Sequence, residues 1–236
     1  MFHFYRPLSK NQYDPAAFTF GESQLGYWGS WVTWGRWLSY YNQINEVLKI
    51  APRGSRILEL GPGEQITTHV LRKFGYHVVT LDKDPTLQPD VVADVRDMGL
   101  PADSFDVVLA FQVLEHVPYE DFGQVLRNLH RVTKRFCVIS LPLTGPEVVF
   151  TLRLPRVPYV PAFPPFGRPL TLSFKLTLPQ RPRSNPLPKH QWEMGKLGYP
   201  VRRIKKDLRA AGFTIGKSFH LPQHLFWTFF VLEKRD

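Results

Sequence analysis

The chain has 236 residues, of which 43% are hydrophobic and 21% are charged, so it can bury a full globular core. No apolar run is long enough to cross a bilayer, and the first residues lack the basic and apolar regions of a signal peptide. Cys137 is the one cysteine, which excludes an internal disulfide and a cysteine-built metal site. These features predict a cytoplasmic protein with a thiol in its core.

Residues 1–51 are rich in aromatic side chains at spacings of three and four, which predicts a helix with an aromatic stripe. The stripe consists of Trp28, Trp31, Trp34, Trp37 and Tyr41. We expect it to pack on the main domain, and stacking on a ligand is the alternative. Pro52 and Gly54 end the helix that follows. We interpret residues 1–51 as an N-terminal helical cap segment.

Residues 52–141 alternate between apolar strands and amphipathic helices. The strand segments are SRILEL, HVVTLD, PDVVAD, SFDVVLAF and RFCVISL, and the helical ones are QITTHVLRKFG and YEDFGQVLRNLHRVT. Such alternation indicates parallel strands covered on both faces. In residues 191–236, VRRIKKDLRAAGF and HLFWTFFVLEK predict a helix and strand that complete the sheet. The fold class is α/β: a Rossmann-like, doubly wound, mostly parallel sheet with helices on both faces.

Residues 142–190 form a Pro-rich basic insertion. They hold twelve of the 22 prolines, and seven Lys or Arg against one acid, within a formal net charge of +10. Proline at this density prevents helices, whereas PLTLSFKLTLP favours a hairpin or edge strands. We interpret the insertion as an arm or lid. Its charge keeps RNA and an anionic membrane surface open as partners.

The turn in RILELGPGEQITTHV carries the first chemical signal. Gly61 and Gly63 leave no side chain between the backbone and a ligand, and the following helix presents free N–H groups to a negative group. Asp82 ends the next strand, where a carboxylate can accept both hydroxyl protons of a ribose. The dinucleotide pattern G-x-G-x-x-G fails at Ile66. S-adenosylmethionine, which has no phosphate, fits better than NAD.

From about Ser55 to Leu141 the sequence resembles the class I S-adenosylmethionine-dependent methyltransferases, especially the small type 11 group. ILELGPGEQ is similar to the family motif E/D-x-G-x-G-x-G, VVTLDKDP to its second motif, and VVADVRDMGLPADSFDVVLAFQVLEHV to its later signature. The resemblance implies a methyltransferase with S-adenosyl-L-methionine as cofactor. The cofactor-binding residues that it implies are Glu59, Gly61, Gly63, Asp82, Lys83, Asp94, Val95, Phe111 and Gln112.

Within this resemblance, Asp82 would bind the ribose. Asp94 and Val95 would border the adenine, and Phe111 and Gln112 would face the methionyl end. The chain departs from the family at the third glycine of the first motif, which is Gln65. Its side chain would either point away from the cofactor or narrow the methionine pocket, and a non-catalytic cofactor-binding protein is a further interpretation.

Two clusters are candidates for catalysis. Glu115 and His116 follow the fourth strand, and His116 is the first candidate for a general base because histidine titrates near neutral pH. Both could instead cap the next helix or bind backbone. His190, Trp192 and Glu193 follow the insertion, where they could line an acceptor pocket or pin the insertion onto the domain. The chain shows no cysteine pairs and no HEXXH pattern, so the sequence predicts no metal site.

The sequence therefore predicts an enzyme that transfers a methyl group to a small or medium organic acceptor by in-line displacement. RNA or an anionic lipid is the alternative acceptor, suggested by the charge of the insertion. The identity of the acceptor does not follow from the fold.

Overall fold

The computed structural model describes residues 34–144, 147–154, 170–177, 189–221 and 224–235. Within these ranges the helices are α1 (Trp34–Ile50), α2 (Ile66–Lys73), α3 (Tyr119–Val132) and α4 (Val201–Ala210). The strands are β1 (Arg56–Leu60), β2 (His77–Asp82), β3 (Val91–Val92), β4 (Phe105–Phe111), β5 (Thr133–Pro142), β6 (Glu147–Leu154), β7 (Leu170–Thr177), β8 (Phe213–Leu221) and β9 (His224–Lys234). No helix in the described part of the chain is long and apolar enough to span a membrane.

Seven strands form one sheet in the order β3-β2-β1-β4-β5-β9-β8. The five strands from β3 to β5 are parallel, and β9 runs antiparallel to both of its neighbours. The sheet confirms the predicted α/β fold class. Leu60 of β1 lies opposite Leu81 of β2 and Ala110 of β4, so three strands end at the same level.

Successive residues of the central strands enter two cores on opposite faces of the sheet, as the pleat requires. Ile57 and Val107 pack with Val47 of α1 in one core. Leu58 packs with Leu126 of α3 in the other, which also contains residues of α4. Both faces of the parallel strands are therefore covered, which explains why these strands are apolar throughout.

The aromatic stripe of α1 does not pack on the domain where it is described. Trp37 is 51% exposed and Tyr41 is 63% exposed. The buried face of α1 instead carries the polar residues Ser39, Gln43 and Glu46. Periodicity identified a stripe without identifying the buried face, because the polar residues of α1 bind specific partners. Trp28, Trp31 and the side chain of Trp34 lie outside the described residues.

One such partner is Thr67 of α2, whose Oγ1 donates to Gln43 Oε1 at 2.6 Å. Another is Lys217 of β8, whose Nζ lies 2.8 Å from Glu46 Oε1. These polar contacts fix α1 against α2 and against the edge strand.

Within residues 142–190, β6 and β7 form an antiparallel hairpin from Glu147 opposite Thr177 to Leu154 opposite Leu170. The second strand of this hairpin coincides with the segment for which the sequence predicted a hairpin or edge strands. The other parts of the insertion, at 145–146, 155–169 and 178–188, lie outside the described residues. The interpretation of the insertion as an arm or lid depends on these parts and stays a prediction.

Candidate functional site

The glycine turn lies beside the end of β2. The Gly61 N–H donates to the Leu81 carbonyl at 2.9 Å, which extends the β1–β2 register by one step. Asp82 follows Leu81 directly, so the turn and this carboxylate are neighbours at the carboxyl edge of the sheet. Ligands of open α/β sheets bind at this edge.

Gly61 also requires the absence of a side chain. Its φ is +59°, and a Cβ at this position would lie 2.5 Å from Val113 Cγ2. Val113 follows β4 closely and precedes the 3-10 turn Leu114–His116. The glycine turn therefore packs on the segment that carries Glu115 and His116.

Gln65 has a left-handed backbone, with φ 58°, directly before α2. A left-handed conformation favours glycine, which accounts for the glycine at this place in the family motif. Its side-chain amide donates to the carbonyls of Leu87 (3.0 Å) and Gln88 (3.3 Å), in the turn after β2. These hydrogen bonds direct the side chain from the glycine turn to the β2 turn and help to offset the backbone strain.

Glu59 is buried in β1 beneath the glycine turn. Thr68 Oγ1 of α2 donates to Glu59 Oε2. Burial raises the pKa of Glu59 to about 7, although the Thr68 hydrogen bond and the Arg72 charge act in the opposite direction. In the structure this carboxyl ties α2 to β1, and its implied cofactor role remains a prediction.

The acids after β2 and β3 have different surroundings. Asp82 Oδ1 accepts the Asp84 backbone N–H at 2.9 Å. Asp94 is held by Arg96, whose Nε and Nη2 donate at 2.9 and 2.8 Å. This pairing lowers the pKa of Asp94 to about 2. The charge of the exposed Lys83 acts in the same direction.

The other residues implied by the resemblance have structural partners. The Val95 carbonyl accepts from Asn128 Nδ2 at 3.4 Å. Phe111 is buried, and its ring centroid lies 6.2 Å from that of Phe229. Gln112 has a left-handed φ of 57°, and its Nε2 donates to Ser140 Oγ at 3.2 Å. Phe111 is therefore a core residue, and Gln112 joins the ends of β4 and β5.

The two candidate catalytic clusters meet in space. The rings of His116 and His190 are edge to face, with centroids 5.0 Å apart. His116 Nδ1 lies 3.0 Å from the Lys189 carbonyl, and His190 Nδ1 lies 2.8 Å from Glu193 Oε1. His116 thus binds backbone, as one interpretation of the sequence held, and still faces a second histidine.

Glu115 forms the floor of this cluster and is 0% exposed. Burial raises the pKa of Glu115 to about 8; its own backbone N–H and Arg36 stabilise the charged form, and the Glu193 charge opposes it. Apart from its own amide, neither carboxylate oxygen has a hydrogen-bond partner among the described residues. The side chain therefore does not cap α3.

The segment after the insertion is fixed onto the domain by its backbone and by Trp192. The Gln191 N–H donates to the Glu115 carbonyl at 2.8 Å. Trp192 is buried and donates from Nε1 to the Val117 carbonyl at 3.1 Å. Residues 190–193 therefore both hold the end of the insertion on the domain and place His190 beside His116.

Glu193 organises the buried charges behind His190. Its Oε2 accepts from Thr144 Oγ1 at 2.6 Å and lies 2.8 Å from Lys196 Nζ, while Oε1 meets His190. Glu193 is 1% exposed, so these partners compensate a charge that water cannot reach.

A family model described as a methyltransferase domain matches residues 58–139, which contain the glycine turn, Asp82 and the Glu115–His116 pair. Residues 58–139 therefore have the sequence pattern of a methyltransferase domain. A search of curated protein sequences finds no match.

Several solved methyltransferase structures share the fold of this chain. The 1,6-didemethyltoxoflavin-N1-methyltransferase of Burkholderia thailandensis is 16% identical, with a TM-score of 0.56 over 86% of this chain and 81% of that one. Magnesium protoporphyrin IX methyltransferase from Synechocystis is 12% identical, with a TM-score of 0.55 over 91% and 87%. A TehB-like methyltransferase of Corynebacterium glutamicum is 17% identical, with a TM-score of 0.53 over 85% and 95%.

Sequence reasoning missed three residues of the candidate site. Val113 was not singled out, because its contact with Gly61 depends on the β1–β4 register. Thr144 and Lys196 were not singled out either, because only the return of the chain after residue 188 brings them to Glu193. The sequence KHQWEMGK did indicate these ion pairs, since His190, Glu193 and Lys196 follow one another at intervals of three residues.

The contact between Gly61 and Val113 predicts a coupled pair of substitutions. Gly61→Ala should cost about 2–4 kcal/mol of unfolding free energy, from the positive φ and the clash. In a Val113→Ala background the cost should fall by about 1–2 kcal/mol, because the Cγ2 methyl is gone. Urea unfolding of the four proteins measures this coupling, and additive effects would contradict the contact.

The buried Glu59 predicts a pH-dependent stability. Its pKa is about 7 in the folded chain against an ordinary value of 4.5, so its contribution is complete below pH 4.5 and is lost as the pH rises to 7. Relative to Glu59→Gln, the wild type should lose about 3 kcal/mol of unfolding free energy between pH 4.5 and 7.5.

The control for this experiment is Glu120→Gln, which removes an exposed carboxylate from the first turn of α3. Urea unfolding at each pH should give a Glu120→Gln curve parallel to that of the wild type. A difference between wild type and Glu59→Gln that stays constant with pH would show that Glu59 does not titrate as described.

Proposed function

We propose that this protein is an S-adenosylmethionine-dependent methyltransferase that acts on a small or medium organic acceptor. The observation that carries the proposal is the adjacency of the glycine turn to Asp82, fixed by the hydrogen bond from Gly61 to Leu81. The match of residues 58–139 to the methyltransferase family supports it. So do the solved relatives that contain S-adenosylmethionine or S-adenosylhomocysteine.

In this proposal the cofactor lies along the carboxyl edge of β1, β2 and β4. Asp82 accepts the two ribose hydroxyls, and the backbone at Gly61 and Gly63 approaches the methionyl part without a side chain between them. Asp94 and Val95 border the adenine. Asp94 accepts a hydrogen bond from Arg96. In this proposal Asp94 therefore shapes the adenine pocket.

The acceptor approaches the cluster of Glu115, His116 and His190. Its lone pair attacks the methyl carbon in line with the sulfonium, and the electrons of the C–S bond pass to sulfur, which leaves S-adenosylhomocysteine. Alignment of the two reactants supplies much of the acceleration of such a displacement. In this proposal the cluster binds the polar group of the acceptor, and one of its side chains accepts the proton that this group loses.

A small acceptor is favoured over RNA or lipid by two of the similar structures, whose names include the small molecules 1,6-didemethyltoxoflavin and magnesium protoporphyrin IX. The basic insertion, which motivated the alternatives, lies largely outside the described residues. An acceptor screen with methyl-labelled S-adenosylmethionine should therefore include RNA and anionic lipid beside small molecules. Labelling of either would favour the alternative acceptors.

Calorimetry with a matched pair of glycine variants tests cofactor binding at the turn. Gly63 and Gly54 both have positive φ, and among the described residues only their chain neighbours have atoms within 4 Å of a Cβ built at either position. Gly63→Ala and Gly54→Ala should therefore lose similar unfolding free energy, of about 1 kcal/mol. Only Gly63→Ala should lose S-adenosylhomocysteine affinity, by tenfold or more, as estimated from steric exclusion at a close backbone contact.

The proposal fails if the wild-type chain shows no heat with S-adenosylmethionine or S-adenosylhomocysteine while a nicotinamide nucleotide binds. It also fails if Gly54→Ala and Gly63→Ala reduce cofactor affinity equally, since the effect would then come from stability alone.

The proposed ribose contact predicts the effect of Asp82→Asn. Loss of a charged acceptor for two hydroxyls should weaken S-adenosylhomocysteine binding by about 10–100-fold. Asp106→Asn is the matched control, because Asp106 accepts the Arg56 N–H at the opposite end of the same sheet. Equal affinities for wild type and Asp82→Asn in titration calorimetry would remove Asp82 from the cofactor site.

A further inference from the structure

Three potential metal ligands converge beside the glycine turn. One atom each from Glu115, His116 and His190 lie within 4.8 Å of one another. The ligands of a tetrahedral Zn²⁺ ion are about 3–3.5 Å apart, as follows from bond lengths of about 2.0–2.1 Å. The three side chains would therefore reach a common ion through movements of about an ångström or less.

The hydrogen bonds of the two histidines set the tautomers that a metal requires. The Lys189 carbonyl can only accept, so His116 Nδ1 carries the proton. Glu193 is held as a carboxylate by Lys196 and Thr144, so His190 Nδ1 also carries its proton. In the neutral rings both Nε2 atoms then offer a lone pair. A histidine that donates from one nitrogen to a carboxylate or carbonyl is the usual partner of a metal on the other nitrogen.

Glu115 supplies an independent observation. Its carboxyl is fully buried, and no other residue in the described part of the chain donates a hydrogen bond to either oxygen. A buried polar group without a partner is costly, and native proteins rarely retain one without a role. A cation between Glu115 and the two imidazoles would satisfy it.

We propose that Glu115, His116 and His190 bind one Zn²⁺ ion through a carboxylate oxygen and two imidazole nitrogens, with at least one coordination position open. Two histidines and one carboxylate form a known catalytic zinc set. Imidazole favours such borderline ions over Mg²⁺ and Ca²⁺, which prefer oxygen ligands only. Lys196 does not compete for the site, because it pairs with Glu193 behind His190.

The open position faces the exterior, since Glu115 is buried, His190 is half-buried and His116 is exposed. This part of the inference rests on the proposed methyl transfer. An acceptor hydroxyl or carboxylate on the ion would be held beside the glycine turn through Val113, and a metal lowers the pKa of a bound hydroxyl. The acceptor class is then oxygen-bearing, and no side chain needs to act as the base.

Metal binding can be measured without any acceptor. The full-length chain, stripped with a chelator, is titrated with Co²⁺ by visible absorption and with Zn²⁺ against a chromophoric chelator. The wild type should bind one equivalent of each, with Co²⁺ bands of a four- or five-coordinate site. Glu115→Gln, His116→Ala and His190→Ala should each lose this binding by at least tenfold, as expected for removal of one of three ligands.

His69→Ala is the matched control. His69 Nδ1 is bonded to the Gln65 carbonyl at 2.8 Å, which resembles the arrangement at His116, but His69 lies on α2 outside the cluster. Its loss should leave Co²⁺ stoichiometry and affinity unchanged. Glu193→Gln tests a positioning residue: affinity should fall about 10–100-fold while the Co²⁺ bands keep their positions.

Circular dichroism and S-adenosylhomocysteine binding report whether each variant is folded. The proposal is overturned if the wild type binds no stoichiometric Co²⁺ or Zn²⁺, or if folded Glu115→Gln and His190→Ala bind as tightly as the wild type. Metal binding without S-adenosylhomocysteine binding would overturn the proposed function and retain the zinc site. The reverse result would retain the methyltransferase and remove the zinc site.

Discussion

Leu60 lies between Leu81 of β2 and Ala110 of β4, and this register holds three strand ends at one level. The next residue of β1 is Gly61, whose N–H continues the ladder to Leu81 and whose missing side chain admits Val113. One hydrogen bond and one close contact thus join the glycine turn, the end of β2 that carries Asp82, and the segment that carries Glu115 and His116. A shift of β1 by a single residue would separate all three, because it would turn each side chain to the other face.

The site contains features that reduce the stability of the fold. Glu59 and Glu115 are buried carboxyls whose pKa values are raised by loss of water, and Gln65 and Gln112 have left-handed backbones. Each is unfavourable by itself, and all lie at or near the carboxyl edge of the sheet. Natural proteins tolerate such departures mainly at functional sites, where the remaining structure holds them in place. Because these four residues cluster at the carboxyl edge, they indicate a functional site there independently of any family resemblance.

Much of the fold could be predicted from the sequence because its cause is local. HVVTLD and SFDVVLAF are apolar runs between turn residues, and YEDFGQVLRNLHRV shows helical spacing of Phe122, Val125 and Leu129. The antiparallel direction of β9 and the buried face of α1 have non-local causes. On α1, Gln43 and Glu46 can be buried because Thr67 donates a hydrogen bond to Gln43 and Lys217 pairs with Glu46. Sequence periodicity does not reveal these partners.

The candidate site shows the same division. Gly61, Gly63 and Asp82 are recognisable because the glycine turn, α2 and β2 form one continuous piece of chain. His116 and His190 were each singled out, but in separate clusters and with different roles. Their contact depends on the return of the chain after residue 188, a long-range event that sequence spacing does not encode. The absence of a metal-binding motif in the sequence therefore says little about a site assembled from such distant parts.

The chain leaves the sheet and comes back to it at almost the same place. Leu143 pairs with Met194, and the Thr144 N–H donates to the Met194 carbonyl at 2.9 Å. Both ends of the segment between them are thus closed by the domain itself, independently of what the segment contains. Because the entropy of closing a loop changes slowly with its length, residues 145–188 can lengthen, shorten or be exchanged while the strands beneath stay intact. The insertion can thus vary without any change to the sheet that carries the glycine turn and Asp82.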